Sequence, residues 1–314
     1  VYSRDEAKHW TCRNALTNSD LKDRTQHLQF FVGDVRDRDR VSDTIRQVRP
    51  DIVIIAAALK QVDTCELSPS ESIMTNLIGT QNIIDAVNKS NAVSSVMFVS
   101  TDKACSPVNV YGMCKATSER IVTSQAQSGR SDVRYLVVRY GNVLESRGSI
   151  IPLFKYQAAN ADYLTVTDPS MTRFVMTLDD SVDLIKHALN VGKTGETWIP
   201  RLPSMNIGEL AEIFAEHYNK DIRIIGLRPG EKQHEDLINS SESIRASMTD
   251  DEKHYVIEPA FIVKSGERFT YSSEHSVMTK QQLKEHLGTL GIIDKSLDEF
   301  VGRSIEEIVT NRKN

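Results

Sequence analysis

The chain has 314 residues, with 38 Lys and Arg against 43 Asp and Glu, for a formal net charge of −5. Hydrophobic residues make up 39% and charged residues 26%, which is the balance of a folded protein and not of a disordered or nucleic-acid-coating one. No apolar run approaches the ~20 residues of a membrane span, and roughly 150 residues per domain predicts one large domain or two smaller ones. Cys12, Cys65, Cys105 and Cys114 form no C-x-x-C pair and no His cluster stands at zinc spacing, so no metal is expected. Such thiols read as reduced, in a cytoplasmic protein with no membrane or nucleic-acid partner. The first residues, VYSRDEAKHW, carry neither a signal-peptide pattern nor an initiator Met, and the natural chain is expected to begin earlier.

In chain order, QFFVG (29–33) predicts a strand and 37–48 a charged helix. DIVIIAAA (51–58) is a continuous apolar run, read as a strand buried on both faces. A helix follows over 69–90, with Ser68 and Pro69 suited to its N-cap and first turn. SVMFVS (95–100) is a second buried strand, 109–127 a helix and RYLVVR (134–139) a third strand. This alternation predicts an α/β, doubly wound parallel sheet. Further on, strands are expected at 163–166, 173–176, 197–200 and 221–226, and helices at 178–191 and 206–219. Residues 239–278 read as polar and irregular, and about 279–312 as a charged helix. The domain reading is 1–145 for the sheet and 146–314 for a smaller lobe, some of whose segments return to the sheet.

Tyr111 and Lys115 are four apart on a helix and share a face. A phenol titrates near 10, and a nearby ammonium favours its phenolate, so the pair could take a proton from a sugar hydroxyl. Composition alone gives about one Y-x-x-x-K in every two chains of this size. The context adds weight, because the motif follows a strand whose end reads Ser100-Thr101-Asp102-Lys103-Ala104, and open α/β sheets bind ligands at the carboxyl ends of strands. Gly33-Asp34-Val35 and Ala56-Ala57-Ala58 are two further strand ends where small or polar residues admit a flat ligand. Taken singly, the alanines fit tight packing and Asp102-Lys103 fit a solvated loop.

STDKA followed by P-x-N-x-Y-G-x-x-K resembles the extended short-chain dehydrogenase/reductase superfamily. More narrowly it resembles the CapD-like polysaccharide biosynthesis group, and within it the inverting UDP-N-acetylglucosamine 4,6-dehydratases of the pseudaminic-acid type. VYSRDE, GDVRD, AAALK, TN-x-x-GTQN, VRYGNV, SRGS, MTRF, PSM and RPGEK extend the likeness in order along nearly the whole chain. The resemblance implies a Rossmann, NAD(P)-binding fold with a smaller C-terminal substrate lobe. It implies catalysis by Tyr111 and Lys115 with Thr101 assisting, Asp102 as acid at C6 and Lys103 as base at C5. Ser3, Arg4, Asp34, Val35, Ala56, Ala57, Ala58, Lys60, Asn76, Tyr111, Lys115, Tyr140, Asn142 and Val143 would meet the cofactor. Lys60, Asn142, Arg173, Met205, Arg228 and Glu231 would meet the UDP-sugar, with the Arg forks suited to a diphosphate, although the commoner fate of a single Arg is a surface ion pair. A homo-oligomer is also implied.

Tyr111 stands where larger, membrane-anchored, retaining members of the group carry Met, which favours the inverting branch. Ile55 and Gln61 replace two histidines of the group's HAAALKHV. No G-x-x-G-x-x-G occurs anywhere, so on the order of 30 residues, one β-α unit, are expected ahead of Val1. Without them a slot beside VYS or DIVIIAAA is expected in the sheet. An acidic residue for the NAD ribose is missing after the second strand, where Ser3 and Arg4 stand. Arg there suits a 2′-phosphate, so NADP is expected over NAD. The resulting expectation is a UDP-N-acetylglucosamine 4,6-dehydratase. Its rivals are a 4-epimerase or reductase of another nucleotide sugar, and an idle sugar-nucleotide-binding protein.

Overall fold

The computed structural model describes residues 1–19, 22–146, 148–293 and 296–302. Arg147 of the Ser-Arg-Gly-Ser stretch, and 303–312 of the expected last helix, lie outside them. The main sheet has six strands, in the spatial order Ala246–Met248, His254–Ile257, Thr197–Pro200, Arg134–Val138, Ser95–Val99, Ile52–Ile55. The last four run parallel, and the first two join them antiparallel. Helices Arg38–Val48, Gly79–Asn88, Val110–Ser128 and Leu178–Val191 supply the crossovers, giving the expected doubly wound α/β sheet. Strands Tyr2–Ser3 and Phe31–Val32 pair parallel in a separate two-stranded sheet.

Ser95–Val99 and Arg134–Val138 are buried on both faces, as their unbroken Val/Met/Phe/Leu runs require. Ile52–Ile55 corrects the expectation of a strand buried on both faces. It is hydrogen-bonded on one side only, to Ser95–Val99, and Ile52 and Ile54 stay 47% and 51% exposed. Ile52 and Ile54 share one face of the strand, which stays uncovered, whereas Val53 and Ile55 on the other face pack with Val35 and Ile45.

The second half builds its own core, in which Phe154, Leu164, Met205, Leu210, Phe214 and Leu283 pack together. It also returns to the sheet, where Trp198 and Val256 pack on Met97, Leu136 and Val138. The stretch 239–278, expected to be irregular, contains strands Ala246–Met248, His254–Ile257 and Tyr271–Ser272. These are too short for alternation to register in the sequence. Helix Glu6–Thr17, capped by Asp5, was also not anticipated. Its hydropathy barely separates into two faces.

Arg139, just past its strand, is 2% exposed. Its guanidinium grips both oxygens of Glu119 on helix Val110–Ser128, both oxygens of Glu242, and the Leu237 carbonyl. Every lone pair facing the charge is engaged, which is the condition for a buried ion cluster to be tolerated. Arg139→Met would leave buried Glu119 without its cation and Glu242 with only the more distant Arg120 at 3.8 Å. We expect it to lower stability by about 3–5 kcal/mol, read from the urea midpoint, and replacing Glu119 and Glu242 by Leu in the same protein should recover most of the loss. A change below about 1 kcal/mol in the single variant would remove Arg139 as the fastener of these three segments.

Candidate active site

The parallel pairing of Ser95–Val99 with Arg134–Val138 continues past the strand ends. Ser100 N–H donates to the Val138 carbonyl at 2.7 Å, and Asp102 N–H donates to the Tyr140 carbonyl at 3.0 Å. This holds the turn Asp102–Ala104 at the carboxyl edge of the sheet. Thr101 Oγ1 donates to Asp102 Oδ1 at 2.8 Å. Helix Val110–Ser128 starts against the same turn. Asn109 caps it by accepting from Gly112 N–H at 2.7 Å, and Asn109 Nδ2 donates to the Gly230 carbonyl at 2.8 Å. Gly112 is required here, because a Cβ would stand 2.1 Å from the Lys103 carbonyl oxygen. Tyr111 and Lys115 are therefore pressed onto the turn that carries Asp102 and Lys103.

Lys103 Nζ lies 3.1 Å from Asp102 Oδ1 and 3.2 Å from Glu235 Oε1. Burial pulls its proton affinity down, but the Asp102 and Glu235 charges outweigh that, and its pKa is raised. Sequence reasoning did not single out Glu235, which lies just beyond the Arg-Pro-Gly-Glu-Lys stretch. Tyr111 is 8% exposed and corrects the expectation of a lowered phenol. Burial pushes it up, helped by Asp102, and the opposing Lys103 charge and Thr101 hydroxyl do not prevail. Lys115 donates instead to the Val99 carbonyl at 2.7 Å, over the Phe98 ring. Burial brings Lys115 down to about 8, against a small upward pull from Glu119.

Around this centre, Ser3, Arg4, Asp34 and Val35 come together at the ends of Tyr2–Ser3 and Phe31–Val32. Arg4 reaches Asp34 at 3.5 Å, and Arg36 holds the same carboxylate below its usual range. Ala56, Ala57, Ala58 and Lys60 follow the edge strand. Asn142 and Val143 form a short strand beside Val175 and Met176. Ser100 Oγ, Asp102 Oδ2, Asn142 Oδ1 and Glu235 Oε2 are buried without hydrogen-bond partners, so the strand ends offer unused polar atoms of the kind a hydroxyl-rich ligand engages. The residues present thus fit a nicotinamide dinucleotide and a sugar.

Three further expected contact residues pack against other parts of the protein. Asn76 turns its amide on Leu59 N–H, the Leu59 carbonyl and Ser72, bracing the Ala56–Lys60 loop from behind. It sits within a π-helical turn, Ile73–Ile78, an irregularity often found near sites. Arg173 is buried, with its guanidinium on the carbonyls of Thr172, Lys232 and Gln233, because backbone acceptors reach it first. Met205 is 1% exposed, inside the second core. Arg228 is half-exposed and paired with Glu231 and Asp63.

A family model described as polysaccharide biosynthesis protein matches residues 1–259. The chain belongs to that family, within the extended short-chain dehydrogenase/reductases, and is an enzyme of the nucleotide-sugar-modifying kind. It is 43% identical over 249 residues to a protein of Rickettsia prowazekii (strain Madrid E) named UDP-glucose 4-epimerase, spanning 78% of this chain and 70% of that one. Pen from Bacillus thuringiensis is similar in structure, with a TM-score of 0.85, 34% identity, and coverage of 93% of this chain and 89% of that one. DesIV, a dTDP-glucose 4,6-dehydratase from Streptomyces venezuelae solved with NAD and TYD, shares the fold at a TM-score of 0.60 and 23% identity, covering 66% and 69%. Among the described residues no helix is long and apolar enough to cross a membrane.

The buried Lys115 ammonium gives a pH signature. Its folded pKa, about 8, lies below the usual value of 10.5. Below pH 8 both states are protonated and the native state carries the full penalty. Between 8 and 10.5 only the unfolded chain holds the proton, so the penalty fades as pH rises. Lys115→Met is therefore expected to raise stability by about 2–3 kcal/mol at pH 7, with the gain shrinking toward pH 10.5. A gain in melting temperature that does not depend on pH would contradict the placement.

Proposed function

We propose that this enzyme is a 4,6-dehydratase of UDP-N-acetylglucosamine, inverting at C5, which makes a UDP-4-keto-6-deoxy sugar for glycan or polysaccharide biosynthesis in the cytoplasm. The reading rests on one observation above others. A carboxylate and an ammonium, Asp102 and Lys103, stand paired at the strand end beside Tyr111. NADP, held by Ser3, Arg4, Asp34, Val35, the Ala56–Lys60 loop, Tyr140, Asn142, Val143 and Lys115, would supply reversible oxidation at C4 and the final reduction at C6. Arg228 and Glu231 face the UDP moiety. The same reading takes 1–145 as the cofactor domain and 146–314 as mainly the substrate lobe. It also takes the protein as a homo-oligomer.

Tyr111 takes the C4 hydroxyl proton through its phenolate, the form that Lys103 and Thr101 favour and burial opposes. With C4 a ketone, the C5 hydrogen is acidic. Lys103 as an amine accepts that proton, and Asp102 as an acid protonates the C6 hydroxyl as water departs. The resting ion pair already holds the one proton that this acid and base need. Its move from Nζ to Oδ1 across 3.1 Å forms the reactive pair, and elimination restores the ammonium and carboxylate; reduction at C6 is completed by a solvent proton at C5, balanced by the C4 hydroxyl proton that Tyr111 releases to solvent. An acid–base pair placed this way contributes roughly 10²–10⁴-fold.

A 4-epimerase is the second reading, favoured by the name of the Rickettsia relative. NMR of the product formed from UDP-N-acetylglucosamine in deuterated water separates the two. Dehydration leaves a 6-deoxy-4-keto sugar with deuterium at C5, whereas epimerisation keeps the C6 hydroxyl and the C5 protium. In the same assay Tyr111→Phe should lower turnover roughly 10²–10⁴-fold, and a rate within twofold of the parent would take Tyr111 out of the mechanism.

Cofactor choice follows from Arg4, which is half-exposed and lies 3.5 Å from Asp34. The protein should bind NADP more tightly than NAD, and Arg4→Ala should abolish the preference by weakening NADP alone. Equal affinities in the parent, measured by calorimetry, would refute it.

A further inference from the structure

Among the described residues, the buried charge clusters around Arg139 and Lys103 differ in one respect. Around Arg139, all four oxygens of Glu119 and Glu242 accept hydrogen bonds. Around Lys103, Asp102 Oδ2 and Glu235 Oε2 are buried and accept none. A bridge that serves only to fasten is favoured when every lone pair is engaged, and a half-satisfied one is destabilising. Retained imbalance of this kind marks a group with work to do on a ligand or a proton.

Glu235 is also placed with care. Its N–H donates to Ser273 Oγ at 3.0 Å, and its carbonyl accepts from Ser273 N–H at 2.8 Å. Ser273 Oγ contacts Thr172 Oγ1 at 2.7 Å, and Thr172 Oγ1 contacts His234 Nδ1 at 2.8 Å. Lys232 Nζ donates to the Cys105 carbonyl at 2.7 Å, which ties the same segment to the end of the catalytic turn. The Glu235 carboxylate therefore reaches Lys103 from a rigid, doubly anchored backbone in the far half of the chain.

We propose that Glu235 is a positioning residue for Lys103, holding its ammonium in register with Asp102 and governing its proton. A lysine head on a four-carbon stem has many rotamers. Asp102, its neighbour in sequence, fixes one side of the head and Glu235 fixes the other. The groups facing Nζ are Asp102 and Glu235, which favour the charged form, and Arg173, which opposes it. Neutralising Glu235 leaves burial and Arg173 against a single carboxylate, so the proton is released more easily. The inference deepens the dehydratase reading, and rests on it for the purpose of the proton, though not for the contact.

The test is acetylation of Lys103 by acetic anhydride as a function of pH, followed by mass spectrometry, in the parent, Glu235→Gln and Glu235→Asp. Only the amine reacts. In Glu235→Gln the midpoint should fall by about one pH unit, so that labelling below it is about tenfold faster. Glu235→Asp keeps the charge but draws it back by a methylene, and should label about two- to fivefold faster than the parent. Circular dichroism checks the fold, and should the Gln variant not fold, the Asp variant decides alone. Labelling of Lys103 unchanged in the folded variants overturns the proposal. An epimerised product with a midpoint that still follows Glu235 would sink the dehydratase reading and leave the positioning role standing. Dehydration with an unmoved midpoint would do the reverse.

Discussion

Arg139 places a full positive charge just beyond the end of a central strand, and the geometry of the site depends on how that charge is satisfied. Glu119 is one turn beyond Lys115 on the helix that also carries Tyr111. Glu242 follows closely on the segment that carries Glu235. One guanidinium therefore fixes the catalytic helix and the far segment against the same strand end. With both in place, Lys103 is gripped by Asp102 from its own turn and by Glu235 from the other half of the chain. A planar fork suits this work because it offers paired donors on two edges.

The proton balance within the site follows from burial. Tyr111, Lys103 and Lys115 share a space with little water, where each charged form is disfavoured unless it has a partner. Lys103 has two carboxylates and keeps its proton firmly. Lys115 has a carbonyl and an aromatic face, and is brought down to about 8. Tyr111 has the Lys103 charge and the Thr101 hydroxyl, which burial outweighs, and it is held as a phenol. The cation that most directly eases Tyr111 is thus Lys103, which in the proposed dehydration would couple the group at C4 to the pair at C5 and C6.

Much of this was legible in the sequence, and the failures have physical causes. The strands Ser95–Val99 and Arg134–Val138 and the helix Val110–Ser128 announce themselves by apolar runs and by Tyr111 and Lys115 at helical spacing. Asp102 and Lys103 are legible because they adjoin a strand end. Ile52 and Ile54 misled because an apolar run reports a residue's preference for burial and not whether another element covers that face. For Arg173, guanidinium suits a diphosphate and a backbone carbonyl alike, and only the fold shows that it donates to the carbonyls of Lys232 and Gln233. Glu235 was invisible because its meaning lies in a contact with Lys103, remote in sequence, and no local pattern distinguishes such a carboxylate from a surface one.

The buried carboxylates also bear on the choice between the two chemistries. Epimerisation at C4 needs a proton acceptor and a hydride acceptor, and touches neither C5 nor C6. For that reaction Asp102, Lys103 and Glu235 would amount to two buried carboxylates around one ammonium with two oxygens unsatisfied, a destabilising arrangement without a use. The proposed elimination across C5 and C6 would give them one, because it needs a base and an acid, and an amine and a carboxylic acid in contact could share the single proton that this pair requires. A third charge that holds this proton in place then becomes part of the design and not a flaw in the packing, and the stability forgone at the strand end is the expected companion of a site shaped for proton transfer.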